Sequence, residues 1–328
     1  MKQTNIQITS LQQAALSVLC YFNVFQHPLT LNEILRNCPV KTTNKDLEEA
    51  LGYLVLIDAI KTDRGFYFLN EHSNSIIENR FQKEIRAKEE LVKSQRYTKL
   101  ISRFPFVKAV CISGSLSKGV MDKDGDVDYF IITEKQRLWV CRTMLIAFKK
   151  IFLLNSRKYF CTNYFVDVDH LEIPDKSIFT ATEINHLKAV CNKNLINELV
   201  AQNSWTKHHT PNFQRANDEN CITENRNPIK RFAEVCLKGA VGEKLDNYFF
   251  KLTLKRWKKK FPHFTSEDFD LNMRTRKNVS KHHPRGYQQK VLRGQESKLK
   301  ETLQNLAPIP AQLFHSGGGI GIKSVEAA

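Results

Sequence analysis

The sequence predicts an α+β protein in several parts: a small mixed-sheet core, flanked by an N-terminal unit of helices closed by a hairpin and by a C-terminal helical region. Three observations predict it. Capped apolar stripes over residues 11–56 end in two short strand-like runs, residues 106–173 read β-α-β-α-β, and beyond Ser177 the apolar period is helical again. A length of 328 residues is enough for two or three domains, each with its own core. With 41% hydrophobic and 26% charged residues, the chain is neither disordered throughout, nor collagen, nor a membrane bundle.

Leu11 to Phe25 carries the first apolar stripe. Its run from Ala14 is broken by Ser17 and Asn23, is preceded only by Lys2 as a positive charge, and is too short to span a bilayer. It reads as a core helix, not a signal segment. Thr30-Leu31-Asn32-Glu33 is a capping box that opens a second helix through Cys38, and a third starts near Thr43 and runs through Leu51, Leu54 and Leu56. Ala59–Thr62, the turn Asp63-Arg64-Gly65 and Phe66–Leu69 read as a hairpin. This order of elements, over residues 1–72, resembles a winged helix-turn-helix domain. Its third helix shows Asp46, Glu48 and Glu49 against Lys45 alone, a poor surface for phosphates, so docking or dimerisation is the favoured role over DNA binding. Residues 73–104, with Ile77, Phe81, Ile85, Leu91 and Leu100 spaced among charges, read as an amphipathic connecting helix.

The core is expected over residues 105–180. Val107–Ser113 has the pattern of a buried strand and stops at Gly114-Ser115-Leu116-Ser117-Lys118-Gly119. A strand that turns into a helix at Gly-Ser exposes backbone N–H groups to an anion; Gly114 permits close approach, Ser115 adds a hydroxyl and Lys118 a compact charge. Eleven residues after Ser115 comes Asp126-Val127-Asp128, continued by the apolar run Tyr129–Ile132. Residues i and i+2 of a strand share a face, and two carboxylates so close repel unless a cation lies between them, with Mg²⁺ the expected occupant. An EF-hand loop starting at Asp122 fails, because Val127 stands where it needs glycine and Thr133 where it needs glutamate.

Gly-Ser with Lys-Gly, a spacer and Gly125-Asp126-Val127-Asp128 resembles the DNA polymerase β-type nucleotidyltransferase superfamily. The resemblance covers residues 105–175 and implies that the Gly-Ser turn holds a triphosphate, that the Asp pair binds Mg²⁺, and that a third carboxylate lies on a later strand in an apolar-Asp-apolar triplet. Tyr159–Val168 reads as that strand, and Asp167 within Val166-Asp167-Val168 fits the triplet, with Asp169 as the alternative. The implied reaction moves a nucleoside monophosphate from ATP or another nucleoside triphosphate to an acceptor that no motif names, with release of pyrophosphate. Two other readings stay open: a non-catalytic, nucleotide-sensing DNA-binding regulator, and the nucleotidyltransferase half of a toxin-antitoxin pair.

The basic helical region is expected over residues 181–306. Between Arg226 and Lys300 there are 20 Lys+Arg against 7 Asp+Glu, so +13 of the net +16 lies here, which points to a polyanion such as RNA. Trp257 and Phe261, set among Lys255, Arg256 and Lys258–Lys260, are candidates for base stacking. The second basic stretch, from Arg274-Thr275-Arg276-Lys277 through Lys281-His282-His283-Pro284-Arg285, is a candidate phosphate-facing loop. The eight cysteines form no CxxC pair, and His208-His209 and His282-His283 form no HExxH, so reduced thiols, no zinc site and a cytoplasmic location are expected. Gly317–Gly321 lacks a following Lys-Ser/Thr and reads as part of a mobile tail over residues 307–328.

Overall fold

Thr9 begins the described fold by capping a helix reciprocally: its hydroxyl accepts from Gln12 N at 3.2 Å, and Gln12 Oε1 accepts from Thr9 N at 2.7 Å. The structure is a computed structural model, and it describes residues 8–73, 75–156, 158–216, 221–224 and 227–306. The glycine run and the 307–328 tail lie outside the described residues.

Helix α1 (Ser10–Asn23) buries Ala15, Leu16, Leu19 and Cys20 along one stripe. After β1 (Leu29–Thr30), the Thr30 cap starts α2 (Leu31–Asn37), and Thr43 caps α3 (Asn44–Leu56). Strands β2 (Ile60–Asp63) and β3 (Phe66–Leu69) turn at Arg64 and Gly65, both at positive φ (48° and 77°), the backbone that matches the twist of a two-residue hairpin. The sheet order is β1-β3-β2. At two residues β1 is too short to give a period-2 signal, so the sequence shows only the hairpin. Helix α4 (Ser75–Ser102) follows, and its buried Arg80 binds Glu33 at 2.6 Å and Glu84 at 2.8 Å, locking the connecting helix to the cap of α2.

The second sheet contains β4 (Val107–Ser113), which leads through the single turn α5 (Gly114–Ser117) to β5 (Asp128–Thr133). Then come α6 (Leu138–Phe152), β6 (Cys161–Asp167), α7 (Ile178–Asn185), β7 (Lys188–Cys191), α8 (Lys193–Gln202) and α9 (Thr206–His209). The described residues close with α10 (Pro228–Cys236), α11 (Ala240–Lys260), α12 (Ser266–Met273), β8 (Thr275–Arg276), β9 (Val279–Lys281) and α13 (Tyr287–Gln304). The strand order is β7-β4-β5-β6-β9-β8, with β5 and β6 parallel and the other neighbours antiparallel. Alternate residues divide the core between the two faces of the sheet. Val110, Ile112, Tyr129 and Ile131 pack with Trp139 and Leu145 of α6, whereas Cys111, Phe130, Ile132 and Val166 pack with Ile184, Ile196 and Leu199.

The α+β class and mixed sheet match the expectation, but the core is wider than residues 105–180. Strands β7, β8 and β9 all lie beyond that range, and the C-terminal region is not wholly helical. Val279-Ser280-Lys281 has no strand pattern of its own; the open edge of β6 makes it one, and the buried Arg274, bidentate to Asp175 at 2.7 and 3.1 Å, ties it down. Nor does the C-terminus stand apart from the N-terminal unit. Helix α13 packs on α1, with Val291 in the core of that unit and Gln295 donating to Ser17 O and Oγ at 3.2 and 2.9 Å.

Candidate active site

Four strand ends meet at one edge of the second sheet. Ser113 pairs with Asp128, so the end of β4 adjoins the start of β5; Asp128 pairs with Cys161 at the start of parallel β6; and Tyr164 pairs with Lys281, which carries the segment after β9 to the same edge. Gly114 sits at φ +68°, where an L side chain is strained, and a Cβ there would lie 2.8 Å from Asp128 Oδ2. Glycine is thus required both by the turn and by the carboxylate packed on it. Asp126 is half-buried on the segment entering β5, and Ser115 is exposed at the mouth. Because α5 is only four residues long, its dipole is weak, and what the turn presents is N–H groups and a hydroxyl.

Lys118 Nζ donates to Gly114 O at 3.1 Å and to Glu183 Oε1 of α7 at 2.7 Å. Burial alone would raise the Glu183 carboxyl, yet the adjoining Lys118 ammonium holds it below the usual range. Burial pushes Asp128 up to about 7, with the charges of Asp126 and Glu183 adding to the rise and a hydrogen bond from Cys161 and the charge of Lys118 opposing it. His186 and His283, whose charges reach Glu183, are both lowered to about 4, chiefly by burial, and are neutral at pH 7. Two adjacent carboxylates at a partly closed strand end, one of them made costly to ionise, fit a divalent cation. Asp126 and Asp128 are the carboxylates that could hold one, and among the described residues no group of three His, Cys, Asp or Glu side chains is placed to hold a metal.

The expected third carboxylate does not join them. Asp167 pairs with Thr133 at the far end of β5, six residues along β6 from Cys161, or about 20 Å at 3.3 Å per residue. There it is 4% exposed and bonded to His170 Nδ1 at 2.6 Å. Asp169 is exposed beyond the same end, 4.0 Å from Lys135. The triplet pattern is met, but parallel pairing makes the start of β6, not its end, adjoin Asp128. What stands there is Asn163, whose Nδ2 donates to Asp128 Oδ1 at 2.7 Å. Neither Asn163 nor Glu183 is marked by spacing; only the parallel register would have pointed to the first.

Residues 95–191 match the nucleotidyltransferase domain family. This segment is a nucleotidyltransferase domain. It takes in the end of α4, the Gly114 turn, the Asp126–Asp128 pair and strands β4 to β7, and it makes the protein a transferase of phosphorus-containing groups. Comparison with curated proteins and with solved structures gives no match. No helix among the described residues is long and apolar enough to cross a membrane.

Beyond the nucleotidyltransferase domain, Trp257 is not a stacking platform. It is 6% exposed, packed on Trp139 and beneath the Arg142 guanidinium, while Phe261 stacks on Phe264. Lys255, Arg256 and Lys258–Lys260 are exposed, whereas Lys230, Arg274 and Lys281 of the same basic region are buried and bonded. Six of the eight cysteines are buried, Cys221 is half-buried and Cys236 is exposed.

The raised Asp128 has a direct consequence for stability. A carboxyl whose pKa is higher folded than unfolded contributes stability that is fully present below about 4 and lost as pH rises through about 7. Thermal melts in EDTA between pH 4 and 8 are expected to show this loss. Asp128→Asn should flatten it, and Mg²⁺ should restore the wild-type protein at pH 8. A wild-type protein with the same pH slope as Asp128→Asn would remove the basis for an uncompensated pair.

Proposed function

We propose that the protein transfers a nucleoside monophosphate from a nucleoside triphosphate to an acceptor, with pyrophosphate leaving. The observation that carries this is the packing of Asp128 against Gly114 at one sheet edge, which sets a carboxylate pair beside a phosphate-sized turn. Gly114 and Ser115 would receive the triphosphate through backbone and hydroxyl donors, and Lys118 would leave Glu183 to meet the phosphate charge. Asp126 and Asp128 would hold Mg²⁺, which neutralises charge on the reacting phosphates when bound. Asn163 keeps Asp128 turned toward the site through its 2.7 Å hydrogen bond. Incubation with each α-³²P-labelled triphosphate, Mg²⁺ and fractionated cell extract tests the reading. Label in an acceptor fraction is expected, and a protein that binds no triphosphate in Mg²⁺ would overturn it.

The exposed lysines at the end of α11 support a polyanion such as RNA as a second partner, bound by charge without stacking on Trp257. Replacing Lys258, Lys259 and Lys260 by glutamine should weaken RNA binding and reduce its log-log salt slope by about 3. The N-terminal unit is then a winged-helix-like module that docks instead of reading DNA, since Asp46, Glu48 and Glu49 are exposed on α3. Duplex DNA binding that survives the triple replacement would contradict that role.

A further inference from the structure

Resting on the reading of the basic region as a polyanion site, we propose that Arg142 is its phosphate anchor: a guanidinium held against two indoles, which takes one backbone phosphate of a bound RNA in bidentate fashion. Two features carry this. The first is a recessed charge without an acceptor. Arg142 lies near the start of α6, its guanidinium carbon 5.6 Å from the ring centre of Trp139 and 4.8 Å from that of Trp257. Among the described residues no carboxylate pairs with it and no carbonyl accepts from it, and burial alone acts on its acidity, pushing it down to about 10. It therefore stays charged at pH 7.

The other recessed arginines of the fold are all satisfied. Arg80 binds Glu33 and Glu84, Arg137 donates to Leu237 O and Gly239 O, and Arg274 binds Asp175 and Asp270. Arg142 is half-buried, and its nitrogens keep access to solvent. Contact with aromatic rings steadies a guanidinium without using its N–H groups, which lie in its own plane and form the fork that a phosphate accepts. A charge withdrawn from water with no anion beside it carries a cost that an incoming anion would offset.

The second feature is the company this side chain keeps. Trp257 stands within Lys255–Lys260, the densest cationic run of the chain, so the anchor reaches that run through the indole it touches. The Trp257 ring lies 5.0 Å from that of His282, the His282 ring 6.4 Å from that of Phe261, and Lys260 Nζ 5.4 Å from the Phe261 ring centre. Consecutive ring contacts thus link the Arg142 guanidinium to the exposed Lys260 ammonium. The lysines supply attraction as mobile point charges, and Arg142 supplies one directed contact that fixes where a phosphate sits.

The test uses the full chain and a fluorescein-labelled single-stranded RNA of about 12 nucleotides, with anisotropy read over a range of salt. Arg142→Gln should weaken binding by about 10- to 100-fold, the worth of a charge-assisted hydrogen bond, and lower the log-log salt slope by about 1. Arg142→Lys should keep the slope but lose affinity, because an ammonium retains the charge and not the fork. A second readout is local. Two of the three tryptophans touch Arg142, so unlabelled RNA should change the tryptophan emission, and the change should be lost in Arg142→Gln at RNA concentrations that still saturate it. RNA affinity equal in Arg142→Gln and wild type, while replacement of Lys258–Lys260 weakens it, overturns the anchor. So does a lower urea midpoint in Arg142→Gln with RNA affinity unchanged, the mark of a purely structural contact between α6 and α11. An emission change produced by inorganic phosphate and not by RNA overturns RNA as the ligand. A wild-type protein that binds no RNA overturns the polyanion reading itself, and the anchor with it.

Discussion

Asp126→Ala and Asp128→Ala are each expected to lower nucleotidyl transfer by at least about a thousandfold, the scale at which several kcal/mol of charge stabilisation is removed from a phosphoryl transition state. The fold should survive both changes. Asp126 and Asp128 are half-buried, Asp128 is bonded to Asn163, and loss of either removes the repulsion that adds to the burial raising Asp128 to about 7. Far-UV circular dichroism should therefore be unchanged while Mg²⁺-dependent triphosphate binding disappears. Asp167→Asn is the matching comparison: bonded to His170 at the far end of β6, it should leave transfer within about twofold, the range of a residue that meets neither metal nor substrate. Transfer retained by Asp126→Ala or Asp128→Ala, or abolished by Asp167→Asn in a folded protein, would move the site away from the Gly114 edge.

Asp246→Ala is expected to cost about 3 kcal/mol of stability, although the residue lies on α11 and far from any motif. Helix α6 starts at Leu138 with no side-chain cap from Arg137. Its first N–H groups find their acceptor on another helix: Trp139 N and Val140 N both donate to Asp246 Oδ1, at 2.8 and 3.0 Å. The carboxylate is fully buried, and Lys277 Nζ approaches its other oxygen at 3.2 Å. Burial raises its carboxyl despite these partners, so the charge stays only because they surround it. Alanine would leave two helix N–H groups without their acceptor, while Lys277 Nζ keeps Asn247 Oδ1 at 2.6 Å. Urea unfolding should show a lower midpoint with m little changed, and Asp246→Asn should recover part of the loss because its amide oxygen can still accept. An unaltered midpoint in Asp246→Ala would mean that water replaces the cap.

These two sites mark the division between what can be read along the chain and what cannot. The Thr30–Glu33 capping box, the hairpin at Arg64-Gly65, strand β4 and its stop at Gly114, and the Asp126–Asp128 pair are all legible because each depends on residues a few positions apart. A cap is a hydrogen bond between neighbours, a strand face repeats every second residue, and a glycine turn is a local backbone requirement. The capping of α6 by Asp246 spans more than a hundred positions and leaves no such trace.

By itself the sequence determined the α+β class, the order of its main elements, the Gly-Ser turn and the carboxylate pair, since local hydrogen bonding and side-chain period suffice for these. Only the tertiary structure decided which residues stand beside that pair. The parallel register of β5 and β6 removed Asp167 and brought in Asn163, and the open edge of β6 drew in β9. That same packing turned Trp257 inward and joined α13 to α1. Strand register and edge pairing are set by which surfaces the whole chain can bury together, and a triplet such as Val166-Asp167-Val168 reads the same at either end of a strand.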